Sequence, residues 1–198
     1  GAVMGHDGPH ARLLRASALA AEPLLRDAIA AGCAGRIDGL LRLESKLSVS
    51  AMRSIVECQA LPASFVEPVD AEAATRIAGL RITKPAWFYP AGGWIDPAGL
   101  VRQAIGSAGL RWRGGCAVDR LVHASDGWHA IDREGRVVAT APLVVLANAD
   151  DALRLAGLPP HWLQRRRGQI SWTGQPAAIA PRVPVASGGY AIALQDGR

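Results

Sequence analysis

Trp87-Phe88-Tyr89-Pro90-Ala91-Gly92-Gly93-Trp94-Ile95-Asp96-Pro97 is the stretch on which the fold turns. Its aromatic start has the composition of a strand, and Gly92-Gly93 makes a loop. Asp96 then supplies an N-cap carboxylate, and Pro97 takes the first helical position, where its missing N–H would have been orphaned in any case. Leu100, Val101, Ala104, Ile105 and Ala108 recur on one helical face, and Gly109 stands where a C-terminal glycine belongs. Paired glycines let a backbone approach a flat ligand or another backbone, and the sequence leaves both readings open.

Working back toward the N-terminus, residues 11–31 read as a helix with Leu14, Ala18, Ala21, Leu25 and Ala28 on one apolar stripe, which Pro23 is expected to kink or restart. Arg36 to Glu44 has the leucine content of a strand. Ser48 or Ser50 can cap a helix running to about Ala60. Ala63 to Val69 reads as another short strand, and Asp70 with Glu72 opens a helix toward Gly79.

Past Gly109 the pattern changes. Leu110–Arg113 and Ala117–His123 read as strands. Two turns, Ser125-Asp126-Gly127 and Glu134-Gly135, bracket a strand from Trp128 to Asp132, and Arg136–Thr140 completes a three-stranded meander. Leu143-Val144-Val145-Leu146-Ala147 is a continuous apolar run of the kind found in buried parallel strands. Asp150 or Asp151 can cap a helix reaching Leu155. Residues 166–174 and 183–195 read as further strands.

Bulk properties narrow the class. A chain of 198 residues, 49% hydrophobic and 20% charged, can bury roughly 70% of its unfolded surface. The weakly polar run from Val137 to Ala149 is broken by Thr140 and Pro142, so it predicts no membrane span. The first ten residues, with Asp7 and three glycines, are no signal peptide. Cys33, Cys58 and Cys116 are widely spaced and form no metal-ligand pattern, so no metal is expected and a reducing, cytoplasmic setting is. None of the five histidines stands in a pattern with a Ser or Cys nucleophile. Residues 1–99 hold ten basic against ten acidic side chains, and residues 100–198 hold twelve against seven, so the second half carries the whole net charge of +5. Arg165-Arg166-Arg167 stands there. Such a half suits an anionic partner, tRNA among them, or is simply a solvated basic face in an arginine-rich protein.

The order Leu14-Arg15-Ala16, Phe88-Tyr89-Pro90-x-Gly92-Gly93-Trp94, Val144-Val145-Leu146-Ala147-Asn148, Arg167-Gly168-Gln169 and Gly189-Tyr190 resembles flavin-dependent amine oxidoreductases of the D-amino-acid-oxidase type. The narrower similarity is to the C-terminal oxidoreductase half of the bifunctional bacterial enzymes that make 5-methylaminomethyl-2-thiouridine in tRNA. The resemblance implies an α/β (α+β mixed) fold: part of an FAD-binding α/β lobe plus a mixed-sheet substrate lobe. Residues 11–95 would belong to the substrate lobe, 96–160 to the FAD-binding lobe with its meander, and 161–198 to the return to the substrate lobe. No Gly-x-Gly-x-x-Gly occurs in the chain. In the resembled family that fingerprint precedes the matching region and a second flavin loop follows it, so the chain is expected to be a piece that binds FAD poorly and is inactive alone.

The same resemblance places Ala117, Val118, Ala147 and Asn148 at the cofactor. It places Gly92, Gly93, Trp94, Gly168, Gln169, Gly189 and Tyr190 near the flavin ring or substrate. An amine substrate bearing a carboxylate needs a Tyr hydroxyl or an Arg fork, for which Arg167 and Arg182 are candidates, while the catalytic base stays unassigned. The implied reaction removes the carboxymethyl group of 5-carboxymethylaminomethyluridine in tRNA by oxidation with FAD, beside a fused methyltransferase domain that uses S-adenosylmethionine. The rival readings are a small-molecule amine or amino-acid oxidase of the same fold, and a non-catalytic binding lobe.

Overall fold

The computed structural model describes residues 7–107, 109–172 and 180–194. In chain order the elements are α1 (Pro9–Ala30), β1 (Gly35–Arg36), β2 (Leu40–Leu43), α2 (Val49–Cys58), β3 (Glu67–Val69), α3 (Ala71–Ala78), β4 (Ala86–Tyr89), β5 (Trp94–Ile95) and α4 (Pro97–Ser107). Then follow β6 (Arg120–Ala124), β7 (Gly127–Ile131), β8 (Val137–Ala141), α5 (Asp151–Leu155), a 3-10 turn at Pro160–Trp162, β9 (Val185–Ala186) and β10 (Tyr190–Ala191). The chain divides into two compact units, Gly1–Leu110 with Trp172–Arg198, and Arg111–Ser171. The chain therefore leaves the first unit after α4 and later returns to it.

The first unit is organised by a five-stranded sheet in the order β10-β9-β2-β4-β3. Its register separates two faces, because side chains alternate along a strand and directly paired residues share a side. Leu41, Leu43, Ala86, Phe88, Val69 and Val185 share one side and pack with Ala74 and Ala78 of α3. Trp87 and Tyr89 lie on the other and pack with Met52, Ile55 and Val56 of α2, together with Val66 and Phe65. Local chemistry sets each helix. Ser48 Oγ accepts from Ala51 N at 3.2 Å to start α2, and Asp70 Oδ1 from Ala73 N at 2.8 Å to start α3. Gly79, at φ +69°, ends α3 in the left-handed region. Asp96 accepts from Ala98 N and Gly99 N at 3.1 and 2.8 Å, as its place before Pro97 demanded.

Glu44, at the end of β2, is buried and earns its place by three donors. Its Oε1 accepts from Ser45 N and Lys46 N at 2.8 and 2.7 Å, and its Oε2 from Trp87 Nε1 at 3.1 Å. The Lys46 amide, ahead of the indole and the Ser45 amide, holds this carboxyl below its ordinary value of 4.5 although burial opposes them. A depressed folded pKa gives stability that is complete above the ordinary value and fades as pH falls through the folded one. Urea midpoints for wild type and Glu44→Gln are therefore expected to differ most at neutral pH and to converge on acidification. A gap that widened below pH 4.5 would contradict the assignment.

Several expectations need correction. α1 runs through Pro23 without a break. The carbonyl deprived of a donor there is that of Leu19, a residue 58% exposed, so water can serve it. Arg36–Glu44 is two strands, divided at Gly39 (φ +134°), whose N–H meets the Gly92 carbonyl at 3.0 Å. Residues 62–66 turn on the Pro62 carbonyl, which accepts from Phe65 N and Val66 N, so only Glu67–Val69 is extended into the sheet. On α4, Val101 and Ala104 are exposed although they belong to the expected apolar face, and Ala108 lies outside the described residues.

In the second unit β6, β7 and β8 form the expected antiparallel meander, with a bulge at Ala130/Ile131. Asp132 organises its second turn. The buried carboxylate accepts from Glu134 N at 3.0 Å, Arg136 N at 2.9 Å and Arg136 Nε at 2.7 Å. Leu110–Arg113 is not a strand, and the strand read from Ala117 begins only at Arg120. The Leu143–Ala147 run is also not a strand: Leu143 is 76% and Val145 80% exposed. Apolar content alone does not make a strand, which needs a neighbour's N–H and C=O groups, and among the described residues none pairs with this run. Residues 166–172 are likewise unpaired, and 173–174 lie outside the described residues. Residues 183–194 contain only the short β9 and β10, and Gln195 lies outside the described residues.

Candidate functional site

A cavity of about 750 Å³ opens in the second unit, and Ala117, Val118, Ala147 and Asn148 all line it. They come from two stretches some thirty residues apart, on either side of the meander. The approach to β6 is held by Asp119 N, which donates to the Ile131 carbonyl at 2.8 Å. Arg154 of α5 then ties the two stretches together. Its guanidinium donates to the backbone carbonyls of Asp119 and, at 3.3 Å, Val118. The same group grips Asp151 through Nε at 2.7 Å and Nη2 at 2.9 Å. Arg154 holds the Asp151 carboxyl below the ordinary aspartate range, with Arg165 and Asn148 assisting. Asn148 Nδ2 donates to Asp151 Oδ2 at 3.3 Å, so this side chain is oriented by the helix that follows it. The remaining wall is apolar, from Leu121, Ala130, Val144, Leu146 and Leu155.

Sequence reading missed Arg154 and Asp151. Part of the signal was there: Asp151 and Arg154 are three apart within α5, which brings them to one side of the helical turn.

The other predicted residues fall differently. Gly92 and Gly93 are closely packed against neighbouring backbone and side-chain atoms. A Cβ at Gly93 would sit 1.9 Å from the Arg36 carbonyl oxygen, and one at Gly92 would sit 2.6 Å from Leu40 Cβ. Trp94 follows in β5, paired with Arg36 of β1 and half-buried. Gly189 precedes Tyr190, which lies on the edge strand β10 and is 63% exposed. Gly168 and Gln169 are exposed in the second unit, away from the lining of the cavity. Arg167 is exposed too. Arg182 lies along Gly79 at the end of α3, close enough that a Cβ on that glycine would be 2.7 Å from its Nε, and its N–H donates to the Ala78 carbonyl. Among the described residues no cluster of three or more His, Cys, Asp or Glu is arranged to hold a metal, and no helix is long and apolar enough to cross a membrane.

An apolar wall beside polar backbone suits a flat heteroaromatic group with a sugar attached, as at the adenosine end of a dinucleotide. The cavity offers no glycine-rich turn for a pyrophosphate among its lining residues. The lining, Ala117, Val118, Ala147 and Asn148 included, is compatible with one end of such a dinucleotide.

Comparison with known proteins identifies the family. The chain is 40% identical over 201 residues to the tRNA 5-methylaminomethyl-2-thiouridine biosynthesis bifunctional protein MnmC of Methylibium petroleiphilum, covering 97% of this chain and 31% of that protein. It is 40% identical over 151 residues to the protein of the same name from Paraburkholderia phytofirmans, covering 73% and 23%. The chain thus spans about a third or less of the relatives it matches. Among solved structures, glycine oxidase from Geobacillus kaustophilus superposes with a TM-score of 0.68 at 16% identity, over 100% of this chain and 56% of that one. An iminodiacetate oxidase from a Chelativorans species gives 0.57 at 20% identity, over 79% and 45%. At such identities the likeness is one of fold. The model of one family, described as FAD dependent oxidoreductase, matches residues 1–198, and this chain belongs to that family.

Proposed function

We propose that the protein carrying this chain is an FAD-dependent oxidoreductase acting on a CH–NH bond, and that its substrate is the 5-carboxymethylaminomethyl group of a modified uridine in tRNA. The observation that carries the reading is the convergence of Ala117, Val118, Ala147 and Asn148 on one cavity, in a chain 40% identical to proteins named for that tRNA modification. FAD, when bound, supplies the two-electron acceptor. The substrate's N–CH₂ carbon loses a hydride and the nitrogen's proton leaves, giving an imine. Water adds to the imine carbon, and the C–N bond breaks to release glyoxylate and aminomethyluridine. The chain's own part is to hold and orient. Backbone at Ala117 and Val118, kept in place by Arg154, would pack on the adenosine end, with Ala147 and Asn148 closing the far wall.

On this reading residues 96–160 contribute to the FAD-binding lobe, and 11–95 with 161–198 to the substrate lobe. Trp94, Gly189 and Tyr190 would lie toward the substrate. A fused methyltransferase domain, tRNA as partner and a cytoplasmic location belong to the same proposal, supported by the names of the relatives.

The test is spectroscopic. The FAD-loaded protein is expected to lose its visible flavin absorbance when mixed anaerobically with tRNA that carries the carboxymethylaminomethyl group, and to keep it with free glycine. Loss with glycine and none with tRNA would transfer the assignment to small-molecule oxidation.

A further inference from the structure

A second cavity, of about 670 Å³, adjoins the first within the same unit, and Cys116, Ala117 and Arg133 line both. Its character is different. One wall is the stretch from Arg113 to Ala117, and the other is the turn between β7 and β8 with the start of β8. Three arginines line it, Arg113, Arg133 and Arg136, against two acids, Asp132 and Glu134. Both acids are already engaged. Arg136 donates through Nε to Asp132 at 2.7 Å and through Nη2 to Glu134 at 3.1 Å. Arg113 and Arg133 are thereby left with no carboxylate in the lining to answer them. Arg113 is anchored across the cavity, its Nη1 donating to the Val138 carbonyl at 2.5 Å, and a guanidinium has further N–H groups to offer. Among the described residues the Arg133 guanidinium has no hydrogen-bond or ion-pair partner. Its backbone is nonetheless fixed, since Asp132 N donates to the Arg136 carbonyl at 3.0 Å and Gly135 N to the Asp132 carbonyl at 3.1 Å. On the facing wall Gly115, at φ +64°, turns the chain without presenting a side chain. The first cavity differs in charge, because its Arg154 is matched by Asp151.

We propose that this second cavity is a phosphate-group site, with Arg113 on one wall and Arg133 on the other holding the anion. Two planar forks offer paired N–H donors to the oxygens of one phosphate, which a single point charge cannot do. Like charges on one cavity repel each other, and an anion between them turns that repulsion into attraction. Both side chains are exposed, so the site is open to a phosphate carried by a large molecule, and binding there is sensitive to salt. Assigning that phosphate to an RNA strand rests on the function proposed above, whereas phosphate binding by Arg113 and Arg133 does not.

The experiment separates the two. The 198-residue chain is titrated with inorganic phosphate while the arginine Nε–H resonances are followed by NMR. It is also titrated with a fluorescently labelled oligouridylate, followed by anisotropy, and with the same bases on an uncharged peptide backbone. Phosphate is expected to shift the Arg133 and Arg113 signals saturably and to compete with the oligouridylate, and the uncharged oligomer is expected not to bind. Arg133→Gln removes no contact within the described chain, so its effect is not one of folding. It is expected to weaken oligouridylate binding about threefold or more, and the double variant with Arg113→Gln about tenfold. The double variant is also expected to flatten the slope of log affinity against log salt by about 0.7, the share of one phosphate on a single strand. Arg133→Lys, which keeps the charge, is expected to retain the slope and recover part of the affinity. Arg53→Gln, which removes an exposed charge on α2, is expected to change neither. An unmoved Arg133 signal with phosphate, an equal effect of Arg53→Gln, or undiminished binding by the double variant would each overturn the proposal. Phosphate that shifts Arg133 without competing with the oligouridylate would overturn the assignment to RNA. Binding that depends on Arg113 and Arg133 while tRNA fails to bleach the flavin would instead overturn the proposed reaction alone.

Discussion

Replacing Trp87 with alanine is expected to destabilise the first unit by about 3–5 kcal/mol, the range for deleting a large aromatic side chain from a packed core. Trp87 is fully buried and is the largest fully buried side chain among the described residues. It fills the layer between the sheet and α2 against Met52 and Val66, with Leu47, Ile55 and Phe65 around them, and α2 has no larger anchor there. The deletion acts twice. It opens a cavity the neighbours cannot close, and it takes one of three donors from the buried Glu44 carboxylate. Trp87→Phe separates the two effects, because it keeps most of the volume and loses only the indole N–H. Its expected cost is about 1.5–3 kcal/mol, that of a hydrogen bond to a charged group. Urea unfolding followed by far-ultraviolet circular dichroism measures both. A loss below about 1 kcal/mol for the alanine variant would mean that the α2 layer is not held by this residue.

What the sequence revealed was what depends on near neighbours. Caps at Ser48, Asp70 and Asp96 form where a short polar side chain precedes a helical pattern, because donor and acceptor lie within three residues. The turns of the meander are local in the same way, with Asp132 closing the second through the amides of Glu134 and Arg136. The four residues named through resemblance all line one cavity of the fold. Leu143–Ala147 was misread because five apolar residues state a preference for burial without naming a partner strand. The place of β2 in the sheet was illegible for a related reason. Nothing near it in sequence tells that β9 will lie parallel beside β2, since that register is fixed by contacts more than a hundred residues away. Arg182, a candidate by residue type alone, lies with its stem against Gly79.

Gly93→Ala is expected to be the more damaging of two substitutions that look alike on paper. The added Cβ would meet the Arg36 carbonyl oxygen at 1.9 Å, its carbon at 2.8 Å and Ile37 Cα at 2.9 Å. All three are backbone atoms, so no rotamer change relieves the clash and the strands β1 and β5 must part. That pairing also sets Asp96, whose N–H donates to the Ala34 carbonyl at 2.7 Å and whose carboxylate starts α4, so the disturbance reaches the helix. A loss of about 3 kcal/mol or more follows from overpacking of this severity. Gly189→Ala is the control: its Cβ would meet nothing within 4 Å, and a change within about 0.5 kcal/mol is expected. Gly93 carries no left-handed φ, so the comparison measures space rather than backbone strain. The pair also decides why Gly92-Gly93 is there. If the glycines served only to let a flat ligand approach, Gly93→Ala would leave the unfolding midpoint where it was and weaken ligand binding alone. The contact with Arg36 requires the midpoint to fall with no ligand present.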